Sequence, residues 1–318
     1  MIIDLHCDTL LYLNNETDLK SAKGHITLDK LIDGKYLLQC FAIFTHLKYV
    51  KNPKEFVYDK INTFYENMNK YQDYIKPIKT YQDIIDNKQN GKISALLSIE
   101  ELGCINSIEE LVDLYKKGVR MATLTWNFDN PFGSPSCLGN NGLTPLGIEA
   151  IKKMEELGIV IDVSHLSDQG VYDILKHTTK PFIASHSNAR SLCDIPRNLP
   201  DELLLEMKKR GCIIGMNYYP QFVIKDSNVL KIDDLIKHID YLKDLIGIDH
   251  VALGSDFDGI DGELEIKDAS YLPLLISKLK EHGYSDEDIN KVINIYITKN
   301  TYFKYFISIP LYIYYTLL

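Results

Sequence analysis

Six side chains able to hold a metal or move a proton recur at the ends of short apolar runs. His6 and Asp8 follow MIIDL, Glu100 closes ISALLSIE, His165 closes GIVIDVSH, His186 closes PFIASH, and Asp256 lies in GSDFDG. Imidazoles mixed with carboxylates suit Zn²⁺, Mn²⁺ or Fe²⁺, whereas magnesium and calcium sites use oxygen ligands almost alone. Zinc is the first choice. Three imidazoles with Asp8 and Glu100 exceed the roughly three protein ligands of one catalytic zinc. The surplus points to two ions about 3.5 to 4 Å apart with a bridging carboxylate. Glu100 is the bridging candidate, and its neighbour Glu101 the alternative. Each feature also has a plainer reading. His6 can be structural, Ser167 and Asp168 can cap a helix, SIEE can start one, and GSDFDG can be a turn. Their shared placement at the ends of separate runs favours chemistry.

Something must bring these ends together. Eight apolar runs serve as strands: IIDLH, LQCFAIFT (38–45), ISALLSIE (93–100), VRMATLTW (119–126), GIVIDVSH (158–165), PFIASH (181–186), GCIIGMNY (211–218) and HVALGSDFDG (250–259). Continuous rather than alternating apolarity marks strands buried on both faces of a parallel sheet. Amphipathic stretches between them end in YKKG118, EELG158, KKRG211 and DLIG247, where glycine suits a left-handed helix terminus. The pattern predicts a (β/α)8 TIM barrel with a metal site at its C-terminal mouth, an open doubly wound sheet being the alternative. Residues 127–143, rich in Gly, Asn, Pro and Ser, read as a long loop after the fourth strand. We expect one domain over 1–306, followed by an apolar tail at 307–318 that packs on the barrel or a second subunit.

Bulk properties narrow the partners. A formal charge of -9 provides no basic footprint for nucleic acid or an anionic membrane, and neither is expected as a partner. Six cysteines without a CxxC pair, and no secretory leader before the first run, lead us to expect reduced thiols and a cytoplasmic protein.

The longest motif, GLTPLGIEAIKKMEELGIVIDVSHLSD followed by PFIASHSNARSLCDIPRNLPDELL and MNYYP, resembles the renal or membrane dipeptidases, a branch of the amidohydrolase-like metal hydrolases. DLHCDT, SIEE and GSDFDG extend the resemblance over most of the chain. It implies a (β/α)8 barrel holding two zinc ions, one on His6, Asp8 and Glu100, the other on Glu100, His165 and His186. It implies Asp256 as general acid-base, Arg197 in IPRNLP as the reader of a substrate carboxylate, and hydrolysis of small L-Xaa-(L or D)-Xaa peptides by a metal-bridging hydroxide. A homodimer is compatible with it. One position departs: the dipeptidases carry a histidine after Leu-Thr at the fourth strand's end, and this chain has Trp126 in LTWNFDN. Indole donates one hydrogen bond and carries no positive charge, so either Trp126 or Asn127 would meet the substrate there. The departure keeps open a hydrolase of the same fold acting on a lactone, cyclic amide or phosphoester; a non-catalytic metal-stabilised scaffold is the third reading.

Alternate strand residues face opposite ways, so His6 and Asp8 should project to the mouth and Cys7 toward the surrounding helices. Cys7→Ala is therefore expected to keep zinc and activity, and His6→Ala or Asp8→Ala to lose one ion, as elemental analysis of the purified variants would read.

Overall fold

A computed structural model describes residues 1–294. Its strands are β1 Ile2–Cys7, β2 Tyr36–Phe44, β3 Ile75–Ile78, β4 Ile93–Glu100, β5 Met121–Thr123, β6 Val160–Asp162, β7 Ile183–Ala184, β8 Ile213–Met216, β9 Val229–Leu230, β10 Val251–Leu253 and β11 Glu263–Leu264. All the strand pairings are parallel. β1 pairs with both β2 and β10, and β2 also pairs with β4, which closes a ring in the order β1-β2-β4-β5-β6-β7-β8-β10. Each of the eight ring strands falls on one of the eight predicted runs, six of them inside it, while β1 extends one residue past its run and β2 starts two residues before its own; the fold is the (β/α)8 barrel.

Three strands stand outside the ring. β3 is not among the predicted runs; its IKPI carries Pro77, which a central strand rejects. It occupies the lower half of one edge of β4, with Ile75 to Ile78 opposite Ile93 to Leu96, and β5 takes over that edge from Ser98 to Glu100. β9 and β11 form a separate two-stranded sheet from the segments following β8 and β10. Several barrel strands are shorter than predicted, β6 ending at Asp162 and β10 at Leu253. The polar residues beyond them leave the ladder for side-chain hydrogen bonds.

Two of the four predicted glycine helix ends hold in detail. Helix Pro145–Leu157 starts with the Thr144 side chain accepting the Gly147 N–H at 3.0 Å and ends at Gly158, φ 78°. Gly211 closes helix Asp201–Arg210 at φ 78°. Gly118 and Gly247 also have positive φ, 102° and 94°, but Gly118 lies one residue past its cap and Gly247 continues into extended backbone. Among the described residues, no helix is long and apolar enough to cross a membrane. The predicted tail at 307–318 and the boundary before it lie outside the described residues.

Two apolar layers hold the barrel. A small cluster takes residues from each ring strand, among them Ile3, Leu5, Leu38, Cys40, Leu96, Met121, Val160, Ile183, Ile213 and Ala252, and is the barrel's inner packing. A larger cluster, including Cys7, Ile99, Leu124 and Val163, joins the strands to the helices. Cys7 thus faces the helices, as expected. Strict alternation from the inward Ile3 and Leu5 would instead send Cys7 inward and His6 outward. A register shift in the β1–β2 pairing between Asp4 and Cys7 breaks the alternation, and His6 stands beside Glu100 instead.

Close strand approach depends on small residues. A Cβ on Gly254 would sit 1.7 Å from the Ser185 carbonyl oxygen, and one on Gly215 would sit 1.9 Å from the same atom. Both glycines let β7, β8 and β10 converge below the mouth. Gly254→Ala is expected to cost about 3 kcal/mol, at the upper end of ordinary overpacking because backbone must move, as chemical denaturation would measure.

Candidate active site

The six predicted side chains meet at the C-terminal mouth. His6 and Glu100 are strand residues, Asp8 follows β1 directly, and His165, His186 and Asp256 lie in the loops after β6, β7 and β10. Two of those loop residues, His165 at φ 69° and Asp256 at φ 61°, occupy the left-handed region that non-glycine residues avoid. Each is held there by its surroundings.

Glu100 is central. Its Oε2 lies 3.3 Å from His6 Nε2, while Oε1 lies 3.0 Å from His165 Nε2 and 3.5 Å from His186 Nε2. Around His6 Nε2 stand Asp8 Oδ2 at 3.4 Å and Asp256 Oδ1 at 3.8 Å. The two oxygens of one carboxylate therefore address two different ligand groups. Two sets of three, His6, Glu100 and His186, and His6, Asp8 and Asp256, are each compact enough to surround one ion.

The donor atoms themselves fit a cation. His165 Nδ1 lies 3.1 Å from Asn127 Oδ1, an acceptor, so Nδ1 carries the proton and Nε2 a lone pair. His186 Nδ1 is engaged by Ser185 Oγ at 2.6 Å, and its Nε2 lies 3.1 Å from that of His165. Both nitrogens also face Glu100 Oε1. Three electron-rich atoms gathered round one point require positive charge between them. His6 Nδ1 and Nε2 and Asp8 Oδ1 are likewise buried without a hydrogen-bond partner.

Electrostatics agree. Burial, with His6 and Arg197 nearby, brings His165 down to about 4, and burial next to His6 holds His186 well below its ordinary value. Both imidazoles are neutral at pH 7. For His6 burial acts downward, but Glu100 and Asp8 outweigh it and hold the imidazole well above its usual value. Burial, with Glu100 beside it, pushes Asp8 well up, and burial raises Asp256.

The remaining predicted residues divide. Trp126 is half-buried and, with Asn127, lines a cavity of about 490 Å³ whose wall also includes Asp8, Glu100, His165 and Asp256. Its ring packs 4.6 Å from Phe44 and 5.2 Å from His46, making an aromatic side to the mouth. Arg197 donates from Nη1 to Ser187 Oγ at 2.8 Å and from Nη2 to the His186 carbonyl at 2.9 Å. It stands behind His186 and 5.5 Å from the ring of Phe222, which lines the cavity.

Glu101 faces away from the imidazoles. At φ 86°, it accepts the Trp126 N–H at 3.0 Å and the Gly103 N–H at 2.8 Å, pinning the loop after β5. Burial raises its carboxyl to about 7. The predicted loop at 127–143 is itself anchored by fully buried Phe132 and by bridges from Gly133 to Leu143 and Pro135 to Leu166.

Two site residues escaped the sequence reading. Asn217 donates to Asp256 Oδ2 at 2.8 Å, which leaves Oδ1 facing the ligand cluster. Gly259 lies where a Cβ would stand 2.1 Å from Asp8 Oδ2 and 2.9 Å from Asp256 Oδ1. Its position four residues past Ser255 in GSDFDG was the available signal, but a turn glycine looks the same in sequence.

The comparisons with known proteins agree with this geometry. The sequence profile of the family described as membrane dipeptidase, peptidase family M19, matches residues 1–299. A protein of Schizosaccharomyces pombe named as an uncharacterized dipeptidase is 33% identical over 299 residues, covering 87% of this chain and 71% of that protein. Dipeptidase aclJ of Aspergillus oryzae is 30% identical over 296 residues, covering 88% and 70%. A solved metallopeptidase, dipeptidase AC, superposes with a TM-score of 0.86 at 25% identity, covering 92% of this chain and 95% of its own. With its barrel closed and its ligand-type side chains gathered at one mouth, the chain belongs to the membrane dipeptidase family of peptidases.

Proposed function

We propose that this protein is a zinc-dependent dipeptidase that hydrolyses the peptide bond of small L-Xaa-(L or D)-Xaa substrates. The carrying observation is the split of Glu100 between two ligand groups, Oε2 toward His6 and Oε1 toward His165 and His186. His6, Asp8 and Glu100 would hold one zinc, and Glu100, His165 and His186 the other. Bound zinc supplies Lewis-acid polarisation of the scissile carbonyl and makes water acidic enough to attack near neutral pH.

The chain's own groups do the rest. Asp256 removes a proton from the attacking water through Oδ1 and returns it to the departing amine, while Asn217 keeps Oδ2 occupied. A carboxyl raised by burial suits that exchange better than one at its ordinary acidity. Arg197 would read the substrate's terminal carboxylate with the N–H groups not engaged by Ser187 and His186. A cavity of about 490 Å³ suits a molecule of dipeptide size. Trp126 and Phe44 give its wall an apolar face, which favours substrates with an apolar side chain on that side. The same wall, standing where the dipeptidases carry histidine, is the observation behind a second reading, a lactone or cyclic amide as the cleaved bond.

Turnover of a dipeptide panel should disappear with a chelator and return with Zn²⁺, at about two zinc ions per chain. Asp256→Asn should keep the metal and lose roughly 10²-fold or more in kcat. Unchanged turnover would remove Asp256 from its role, and lactone turnover far above dipeptide turnover would select the second reading.

Metal binding should also release protons. His6 is held above its usual value, so at pH 7 zinc must displace its proton, and affinity must fall as pH falls. Calorimetric titration of the metal-free protein in buffers of different ionisation enthalpy would measure the release; a value of zero would contradict the assignment of His6.

A further inference from the structure

Asp162 ends β6 fully buried and touches neither the cavity nor the proposed ligand positions. It nevertheless collects four hydrogen bonds. Oδ1 accepts the Ser185 N–H at 2.8 Å and the Ser164 N–H at 3.0 Å; Oδ2 accepts the Thr123 hydroxyl at 3.0 Å and the Ser185 hydroxyl. A serine has one hydroxyl proton. Since Ser185 gives it to the carboxylate, its oxygen can only accept from His186, so His186 carries its proton on Nδ1. Nε2 is then a lone pair aimed at the Glu100 side of the site, and the His186 N–H is tied to Ser164 Oγ at 3.0 Å.

The same clip occurs a second time. Asp4 Oδ1 accepts the N–H two residues on, from His6 at 3.3 Å, and the Ser255 N–H at 2.9 Å, while Oδ2 accepts the Ser255 hydroxyl at 2.5 Å. Asp162 is in register with Ile183 and Asp4 with Leu253, so each serine lies two residues beyond its aspartate's partner. In each case the residue after the serine, His186 or Asp256, enters the site. Such repetition on strands far apart in sequence is what a positioning device would leave.

We propose that Asp162 is a positioning residue which, through Ser185, fixes the tautomer and orientation of His186 for metal binding. This rests on reading the site as a metal centre. A carboxylate behind a ligating imidazole holds the ring and strengthens it as a ligand, and its loss commonly costs 10- to 100-fold in metal affinity.

Asp162→Asn tests it with little change of shape. The asparagine Nδ2 would donate to Ser185 Oγ, turning the serine hydroxyl toward His186 Nδ1 and moving the imidazole proton to Nε2. In the full-length metal-free chain labelled with ¹⁵N-histidine, NMR should show His186 as the Nδ1–H form in wild type and as Nε2–H in the variant. Zinc affinity, measured by competition with a chromophoric chelator, should fall 10- to 100-fold while circular dichroism stays unchanged. Ser185→Ala, which leaves three of the four bonds to Asp162 or their backbone equivalents intact, should lose about tenfold and decides the matter if the asparagine variant does not fold. A folded Asp162→Asn chain that keeps the Nδ1–H form, or a Ser185→Ala chain with zinc affinity within twofold of wild type, would overturn the proposal. Failure of wild type itself to bind zinc would instead remove the metal-centre reading.

Discussion

Everything at the mouth of this barrel answers to one constraint: three carboxylates and three imidazoles, each nearly buried, are packed within a few ångströms at the floor of the cavity. Asp8, Glu100 and Asp256 repel one another there, and burial makes each charge costlier. A proton on His6 relieves part of that repulsion, and two divalent ions would relieve it more fully. The arrangement therefore demands positive charge, and the scaffold must be stiff enough not to fall apart without it. Gly215 and Gly254, which let three strands close on the Ser185 carbonyl, contribute to that stiffness.

Rigidity near the site comes mostly from backbone held by side chains. His165, Asp256 and Glu101 all lie at positive φ, a cost of order 1 to 3 kcal/mol each that only surrounding structure can sustain. Glu101 shows how this is managed. It accepts two backbone N–H groups and so fastens the segment bearing Trp126 and Asn127 to the strand bearing Glu100. The aromatic wall of the cavity is thereby built on the same element as the central carboxylate.

Much of this was legible in the sequence. Continuous apolar runs marked the eight ring strands, glycines marked the positive-φ turns, and the ligand-type residues stood near the ends of the runs. What sequence periodicity could not show was local departure from it. The register shift that turns His6 inward has no signature in IIDLHC, because either face of such a run is apolar enough to be buried. IKPI is short and carries a proline, which its edge position accepts. Asp162 and Asp4 look like ordinary polar interruptions of IVID and IID. Their meaning appears only when β6 meets β7 and β1 meets β10, since the hydrogen bonds from Ser185 to Asp162 and from Ser255 to Asp4 join residues 23 and 251 apart in sequence.

That last pairing has a consequence for assembly. Asp8 N–H donates to the Phe257 carbonyl, Asp256 N–H to that of His6, and the Thr9 hydroxyl to Asp258. The first residues of the chain thus find their partners only when a segment some 250 residues later has been made. Contacts of such separation are slow to form and come after local structure. During synthesis β1 must wait with one edge unpaired. The cluster at the mouth, in which His6 and Asp8 stand beside Asp256, is then completed by the same event that closes the barrel.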